Sequence, residues 1–202
     1  MPKRPRTRRA AWPRERRPTR EDLLAAHGKS VPDVIAPGLR VLFCGINPGL
    51  YTAAVGHHFA RPGNRFWPAL HRAGFTDRQL SPFDERELLE RRIGVTNLFN
   101  FATANADELP AADLRRGGEL LARKVRRHRP RIVAILGLGA YRLAFGATRV
   151  LVGRQEQRIG DTEVWALPNP SGRTAGYQLD ALVLAFRALR RAADRARAEF
   201  LA

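Results

Sequence analysis

Cysteine is nearly absent from this sequence. Cys44 stands alone among 202 residues, which excludes a disulfide framework, and one thiol cannot by itself hold a zinc ion or an iron–sulfur cluster. Long apolar runs are missing as well. None approaches the roughly 18 residues of a membrane span, and no apolar segment follows the basic N-terminus as it would in a secretory signal. We therefore expect a soluble protein in a reducing, intracellular compartment.

Acidic residues are also scarce. Asp and Glu number 19 against 36 Lys and Arg, which leaves a formal charge of +17. A charge of this sign and size favours a polyanionic partner such as nucleic acid, although basic residues also serve simply as a solvated surface. Residues 1–20 carry much of it, with prolines interspersed and Glu15 as the sole acid. This composition predicts a disordered basic arm that contacts phosphates, or an unselected basic tail.

The rest of the chain alternates between strand-like and helix-like segments. Thr19 is the predicted N-cap of a short helix, so that 21–33 forms a helix and linker and 34–202 the folded domain. Apolar runs predict strands at 41–46, 94–98, 131–136 and 163–167, and helices are expected at 65–73, 85–92, 113–127 and from 179 onwards. Gly117 and Gly118 within one helix predict close packing or a break. The pattern indicates an α/β fold with a parallel sheet covered on both faces.

Two strand-ending loops begin with the same dipeptide. Asn47-Pro48 follows the first predicted strand and Asn169-Pro170 the last. Because the carboxyl ends of parallel strands form the ligand crevice of such sheets, both loops are expected to line one site. Taken one at a time, each loop is more typical of an ordinary strand-ending turn than of a binding site.

The loop motifs resemble those of a known family. Gly45-Ile46-Asn47-Pro48-Gly49, Gly56-His57-His58-Phe59, Pro62-Gly63-Asn64-Arg65-Phe66-Trp67 and Asn169-Pro170-Ser171-Gly172 are similar to motifs of the mismatch-specific uracil-DNA glycosylase and thymine-DNA glycosylase family, over roughly 34–189. The resemblance implies a three-layer α/β/α fold with a short, mostly parallel central sheet. It also implies a monomeric enzyme acting on double-stranded DNA with G·U or related mispairs, without metal, cofactor, lyase activity or membrane contact. Its abasic product implies a downstream abasic-site endonuclease, and a bacterial source would make it cytoplasmic and nucleoid-associated.

Elementary chemistry agrees with an uncharged residue at position 47. Hydrolysis of an ordinary glycoside uses two carboxyl groups because the leaving alkoxide is poor. The uracil N1 anion leaves more readily, provided that its oxygens are stabilised and bulk water is excluded. An asparagine amide can hold the attacking water but has no useful pKa. We therefore expect catalysis by positioning, with weak pH dependence near neutrality.

By resemblance, Asn47 corresponds to the residue that positions the water, and Phe59 to the aromatic that stacks on the extruded base. A core role is the alternative for Phe59. The expected pocket residues besides Phe59 are Ile46, Gly49, Thr52 and His58, of which Thr52 is predicted to tune substrate range. The Gly-His-His-Phe motif resembles the thymine-processing branch of the family, which suggests tolerance of a larger base.

The distal loop departs from the family pattern. Bacterial members continue Asn-Pro-Ser-Gly with Leu-Ser-Arg, whereas this chain continues Arg173-Thr174-Ala175-Gly176-Tyr177 and is one residue longer. The predicted DNA-binding and wedge loop comprises Asn169, Ser171, Gly172, Arg173 and Thr174. Arg173 is a candidate for the wedge or for a phosphate contact.

Other functions stay open from the residues alone. A catalytically silent DNA-binding module would need only the charge, with Asn47 capping a turn. A nucleotide-binding enzyme is disfavoured, because no G-x-x-x-x-G-K-[ST] or complete G-x-G-x-x-G follows a predicted strand. Cys44 has no evident base to make it a nucleophile, and His57 and His58 lack a third metal ligand at a suitable spacing.

Overall fold

A five-stranded sheet forms the centre of the protein. The computed structural model describes residues 16–172 and 176–201. The strands are β1 (Val41–Gly45), β2 (Ile93–Asn97), β3 (Ile132–Leu136), β4 (Gly153–Ile159) and β5 (Thr162–Leu167), in the order β2-β1-β3-β5-β4. The first four strands in this order run parallel, and β4 pairs antiparallel with β5. The predicted α/β class with a mostly parallel sheet is confirmed.

Each parallel strand lies within one residue of its predicted segment, and β4 was missed. The four parallel strands are apolar and almost wholly buried, so a continuous apolar run identifies them. Strand β4 has the sequence Gly-Arg-Gln-Glu-Gln-Arg-Ile and is largely exposed at the sheet edge. A polar edge strand lacks the apolar run by which the others were found.

Helices cover both faces of the sheet. The alternation of side chains along β1 sends Phe43 to one face and Leu42 and Cys44 to the other. Helices α3 (Phe66–Arg72) and α6 (Leu179–Leu201) pack on the Phe43 face. The opposite face is covered by α4 (Ala111–His128) and α5 (Leu138–Phe145). The helix expected at 85–92 is a 3-10 helix, Pro82–Arg91.

The segment before the sheet packs against the domain. Helix α1 (Arg20–Leu24) starts at its predicted N-cap, Thr19, whose side chain accepts a hydrogen bond from the Asp22 amide. Beyond it, Ala26 and Val31 are fully buried in a cluster that includes residues of α2 (Leu50–Val55), a helix that the sequence did not predict. Residues 1–15 of the expected basic arm lie outside the described residues.

No helix in the described part of the chain is long and apolar enough to cross a membrane.

Gly117 and Gly118 mark close packing of α4, one of the two outcomes predicted for them. A Cβ atom on Gly117 would lie 2.6 Å from the carbonyl oxygen of Leu98, and one on Gly118 would lie 2.6 Å from that of Ala144 in α5. Both neighbours are backbone atoms, which cannot rotate away as a side chain can. The helix therefore lies closer to α5 and to the loop after β2 than any larger residue would permit.

We predict that Gly118→Ala lowers the free energy of unfolding by about 1–3 kcal/mol through overpacking, although alanine is the better helix former. Gly139→Ala in α5 is the matched control, because nothing lies within 4 Å of its Cβ position. The control should be neutral or stabilising by up to about 1 kcal/mol. Urea unfolding of both variants measures the difference, and equal effects would contradict close packing at Gly118.

Candidate active site

A cavity of about 310 Å³ opens at the carboxyl edge of the sheet. This volume lies at the lower end of the range for small-ligand pockets, about 300–1,000 Å³. The loops that follow β1, β2 and β5 contribute to it, together with Leu136 at the end of β3, as expected for an α/β sheet. The lining comprises residues 45–49, Thr52, His58, Phe59, Arg61, Asn64, Asn97, residues 104–106, Leu136, Asn169 and Ser171.

The structure brings most of the predicted site residues to this cavity. Ile46, Asn47, Gly49, Thr52, His58 and Phe59 all line it, as do Asn169 and Ser171 from the distal loop. Gly172 lies beside it, packed so closely that a Cβ atom would be 2.6 Å from the Gly63 carbonyl oxygen. Arg173 and Thr174 lie outside the described residues. The catalytic and DNA-binding roles of all these residues stay predictions.

Asn47 is held by a hydroxyl that the sequence did not reveal. Its side-chain Nδ2 donates to Thr103 Oγ1 at 2.8 Å, and Thr103 Oγ1 donates to the Asn105 carbonyl oxygen at 2.7 Å. That bond uses the only proton of the hydroxyl, so Thr103 Oγ1 acts as an acceptor towards Asn47. The side-chain atom of Asn47 that faces it is therefore the donor Nδ2 and not Oδ1. The orientation of the amide is thereby fixed, and Oδ1 is the acceptor left for a further partner.

Phe59 lines the cavity and also packs on the core. Its ring stacks on Phe66 with the centroids 4.1 Å apart, so the two roles considered for it are compatible. The backbone of Phe59 has φ 53°, a left-handed conformation that is strained for a bulky residue. Gly45 permits the close approach, since its Cβ atom would lie 3.4 Å from the Phe59 ring and 2.5 Å from Asn97 Oδ1.

A buried carboxylate bridges the two histidines before Phe59. Glu85 Oε1 lies 2.9 Å from His57 Nδ1, and Glu85 Oε2 lies 3.0 Å from His58 Nδ1 and 2.8 Å from the His58 amide nitrogen. Burial by itself raises the pKa of Glu85, but the hydrogen bonds from His57 and His58 outweigh it and lower the pKa to about 2. An ionised carboxylate only accepts, so both imidazoles donate from Nδ1.

This bridge orients His58 towards the cavity. His58 is 1% exposed, and its Nε2 has no hydrogen-bond partner among the described residues. The Glu85 bond to the His58 amide also holds the backbone immediately before the strained Phe59. Glu85 therefore fixes both the tautomer of His58 and the loop that presents Phe59.

Asn97 is a further polar group of the site, and none of the sequence motifs pointed to it. It ends β2, is 4% exposed and lines the cavity, and its Nδ2 has no partner among the described residues. A buried amide without a partner is costly unless a ligand or water satisfies it. The rule that selected Asn47 and Asn169, an asparagine at the carboxyl end of a strand, also applies to Asn97. Thr103 and Glu85 carry no comparable signal, because neither residue ends a strand.

The cavity contains amides in place of acids. Asn47, Asn64, Asn97, Asn105 and Asn169 line it, and its described lining includes no carboxylate, lysine or cysteine. Cys44 is fully buried in β1, and burial raises the pKa of its thiol, which makes it a poor nucleophile. No group of three metal-binding side chains occurs within the described ranges. The described lining thus offers mainly amide hydrogen bonds, with His58 as its imidazole.

The loops on either side of the cavity are tied together. Arg65 donates from its guanidinium to the carbonyl oxygens of Ser171 and Tyr177, and its amide donates to the Pro170 carbonyl oxygen at 2.9 Å. Asn169 Oδ1 accepts from the Ser171 amide at 2.9 Å, which shapes the turn after β5. The arginine of the Pro-Gly-Asn-Arg motif therefore holds the distal loop in place.

We predict that Glu85→Gln removes a pH-dependent part of the stability. Because the folded pKa of about 2 lies below the ordinary value of 4.5, Glu85 stabilises the fold above pH 4.5 and loses that contribution as the pH falls towards 2. The difference in unfolding free energy between wild type and Glu85→Gln should shrink by roughly 3 kcal/mol between pH 5 and pH 2. Denaturant titrations at several pH values measure it, and a constant difference would contradict the bridge.

The protein resembles known proteins both in its fold and in its sequence family. A solution NMR structure of a Methanosarcina acetivorans protein, whose name places it provisionally among the uracil DNA glycosylases, is similar in fold, with a TM-score of 0.51 and 17% sequence identity. The similarity covers 81% of this chain and 98% of the other. Residues 32–191, well over half of the sequence, match the model of the uracil DNA glycosylase superfamily, and the chain therefore belongs to that superfamily.

Proposed function

We propose that this protein is a monofunctional, mismatch-directed uracil-DNA glycosylase. It extrudes uracil from G·U pairs in double-stranded DNA, hydrolyses the N-glycosidic bond and leaves an abasic site. The observation that carries the proposal is a cavity whose described lining has five asparagines and no carboxylate, and at which a hydroxyl fixes the orientation of Asn47. Membership of the superfamily supports glycosylase chemistry on DNA. The preference for mispairs, including G·T, is proposed from the similarity of the two loop motifs.

The reaction needs a held water more than a strong base. As the bond between C1′ and N1 breaks, its electron pair leaves with the uracil as an N1 anion, and the sugar acquires oxocarbenium character. A water hydrogen-bonded to Asn47 Oδ1 adds to C1′, and its proton passes to solvent. Because no titrating group of the protein takes this proton, the rate should change little with pH near neutrality.

The other cavity groups suit an extruded pyrimidine. Asn97 presents an amide to the hydrogen-bonding edge of the base, where Nδ2 can donate to O4 and Oδ1 can accept from N3–H. We expect the base to stack on the face of Phe59 that Phe66 does not cover. His58 Nε2 supplies a third polar group to the cavity. Whether thymine is also accepted should depend on the space beside Thr52.

Charge supports binding of the surrounding DNA. Arg61 is exposed at the rim of the cavity and has no carboxylate partner within the described residues, and the whole chain carries +17. Both favour contact with phosphates. The lining that the structure describes has no lysine to form a Schiff base, which supports hydrolysis without lyase activity. The abasic product then requires a downstream endonuclease.

We predict that Asn47→Ala slows single-turnover release of uracil from a G·U duplex at least about 100-fold, because the water loses its acceptor. Thr103→Val should slow release about 10- to 100-fold through misorientation of the Asn47 amide. Thr103→Ser is the matched control, since it keeps the hydroxyl, and should stay within about threefold of wild type. Abasic-site formation on duplexes with G·U, A·U and G·T pairs gives the rates and the substrate preference.

Two results would reject the proposed function. One is binding of the duplex by the wild-type protein without release of uracil from any substrate, which would indicate a silent DNA-binding module. The other is an unchanged rate in Asn47→Ala. A loss in Thr103→Ser as large as that in Thr103→Val would separately reject the orienting role of the hydroxyl.

We also predict that Asn97→Ala slows uracil release about 10- to 100-fold while binding of undamaged duplex stays within about twofold, because a hydrogen bond to developing charge is lost. Asn97→Asp should be slower still, since a carboxylate repels the leaving anion. The same single-turnover assay and a duplex-binding titration measure both quantities. Faster release by Asn97→Asp than by Asn97→Ala would contradict a role in holding the base.

A further inference from the structure

An exposed aromatic residue, Phe101, neighbours the Asn47 side of the cavity, where its backbone carbonyl oxygen lies 3.5 Å from Asn47 Nδ2. Phe101 is 54% exposed, and it is the sole aromatic among the exposed large apolar residues of the described chain. The others are Leu24, Leu120, Leu143, Leu151, Val152 and Leu184. Single exposed apolar residues are common in soluble proteins. The position of Phe101 beside Asn47, more than its exposure, requires an explanation.

The backbone of Phe101 belongs to the site. Its carbonyl oxygen lies 3.5 Å from Asn47 Nδ2, and bridges from Ser30 to Phe101 and from Gly49 to Thr103 hold the segment in an extended form. Ala102 is buried in the cluster against α2. Successive side chains of an extended segment point to opposite sides, so Phe101 points to the side of Thr103, which meets Asn47.

The ring is braced and uncovered. Phe99 contacts it edge to face, with the centroids 5.6 Å apart and an interplanar angle of 68°, and Phe99 itself packs against the core. A Phe side chain has only two rotatable bonds, so holding it in place costs little conformational entropy. The result is a supported apolar surface directed outwards, next to the group that is proposed to hold the water.

When a nucleotide leaves a duplex, the stacking energy between it and the neighbouring bases is lost, and other contacts must compensate for that loss. Extrusion exposes the faces of neighbouring bases to water, and enzymes commonly fill such gaps with apolar or aromatic side chains. Stacking on an aromatic ring suits any base, since every base has a π face. Arg61 at the same cavity and the charge of the chain would bring DNA to this surface.

We propose that Phe101 stacks on a base left exposed in the duplex when the target nucleotide enters the cavity, and so stabilises the extruded state from the Asn47 side of the rim. This inference rests on the proposed function for the identity of the target, but stacking at a gap is a binding property that is measurable without cleavage.

The first test measures binding to a duplex that contains a tetrahydrofuran abasic-site analogue, compared with the same duplex undamaged. Wild type should bind the duplex with the abasic-site analogue more tightly than the undamaged duplex. Phe101→Ala should reduce this preference about 5- to 150-fold, with little change in binding to undamaged DNA. Phe101→Trp should retain the preference, whereas Phe101→Leu, which keeps apolar volume without a π face, should retain only part. Leu184→Ala in α6 is the matched control, because Leu184 is 65% exposed and is not among the residues that line the cavity, and it should behave as wild type.

The second test separates stacking from catalysis. Single-turnover release by Phe101→Ala should fall about 5- to 150-fold on a G·U duplex but stay within about twofold of wild type on single-stranded uracil DNA, where no stack needs to be held open. Equal losses on both substrates would place the effect on the Asn47 amide and overturn the proposal. The proposal would also be overturned if Phe101→Ala kept the wild-type preference for the duplex with the abasic-site analogue. Failure of the proposed function is distinct, since it appears as a wild type that releases no uracil from either substrate.

Discussion

The parallel pairing of β1 with a strand on each side is the constraint on which the site depends. Gly45 pairs with Asn97 at the end of β2, and Cys44 pairs with Ile135 near the end of β3, which in turn is paired with β5 up to Leu167. The strands therefore end at one level, and the residues that follow them meet. A slip of one residue would turn every side chain of a strand to the other face, which the buried apolar surfaces on both sides oppose. Apolar packing thus fixes the position of polar groups that it does not contact.

The polar groups so placed form a site of amides, with Arg61 at its rim, inside a strongly basic protein. A net charge of +17 acts over long distances on phosphates, whereas the cavity holds asparagines whose hydrogen bonds act only at contact. This division suits a reaction in which the anion formed is a leaving base. A carboxylate facing it would oppose the departure of negative charge. Glu85, which lies close by, is turned towards His57 and His58, and Glu108 accepts a hydrogen bond from Asn105 Nδ2. Electrostatics and positioning are supplied by different parts of the molecule.

Periodicity and loop chemistry predicted the four parallel strands, the helix starting at Thr19 and two of the loops around the cavity. Those features depend on local patterns, which one sequence reveals. Strand β4 forms by pairing with β5, and its own sequence has no apolar run that would reveal it. Thr103 and Glu85 act through their hydrogen bonds to Asn47, His57 and His58, and those contacts depend on tertiary structure that a local sequence pattern does not show. Asn97 is different, because it ends a predicted strand and the rule for carboxyl ends would have found it. Arg65 belongs to a motif that the sequence revealed. Its hydrogen bonds to the distal loop on the other side of the cavity could not be predicted, because they depend on the tertiary structure.

The two edges of the sheet are closed in different ways. At β4 the outward row consists of charged and amide side chains such as Arg154, Glu156 and Arg158, which discourage another chain from adding a strand. At β2 the backbone of Val95 is already occupied, because it exchanges hydrogen bonds of 2.8 and 2.9 Å with Val34 from the segment before the sheet. That segment thus acts as a cover for an otherwise open edge. Shortening the chain to begin at β1 would therefore uncover a strand edge and favour aggregation, even though every residue of the cavity would still be present.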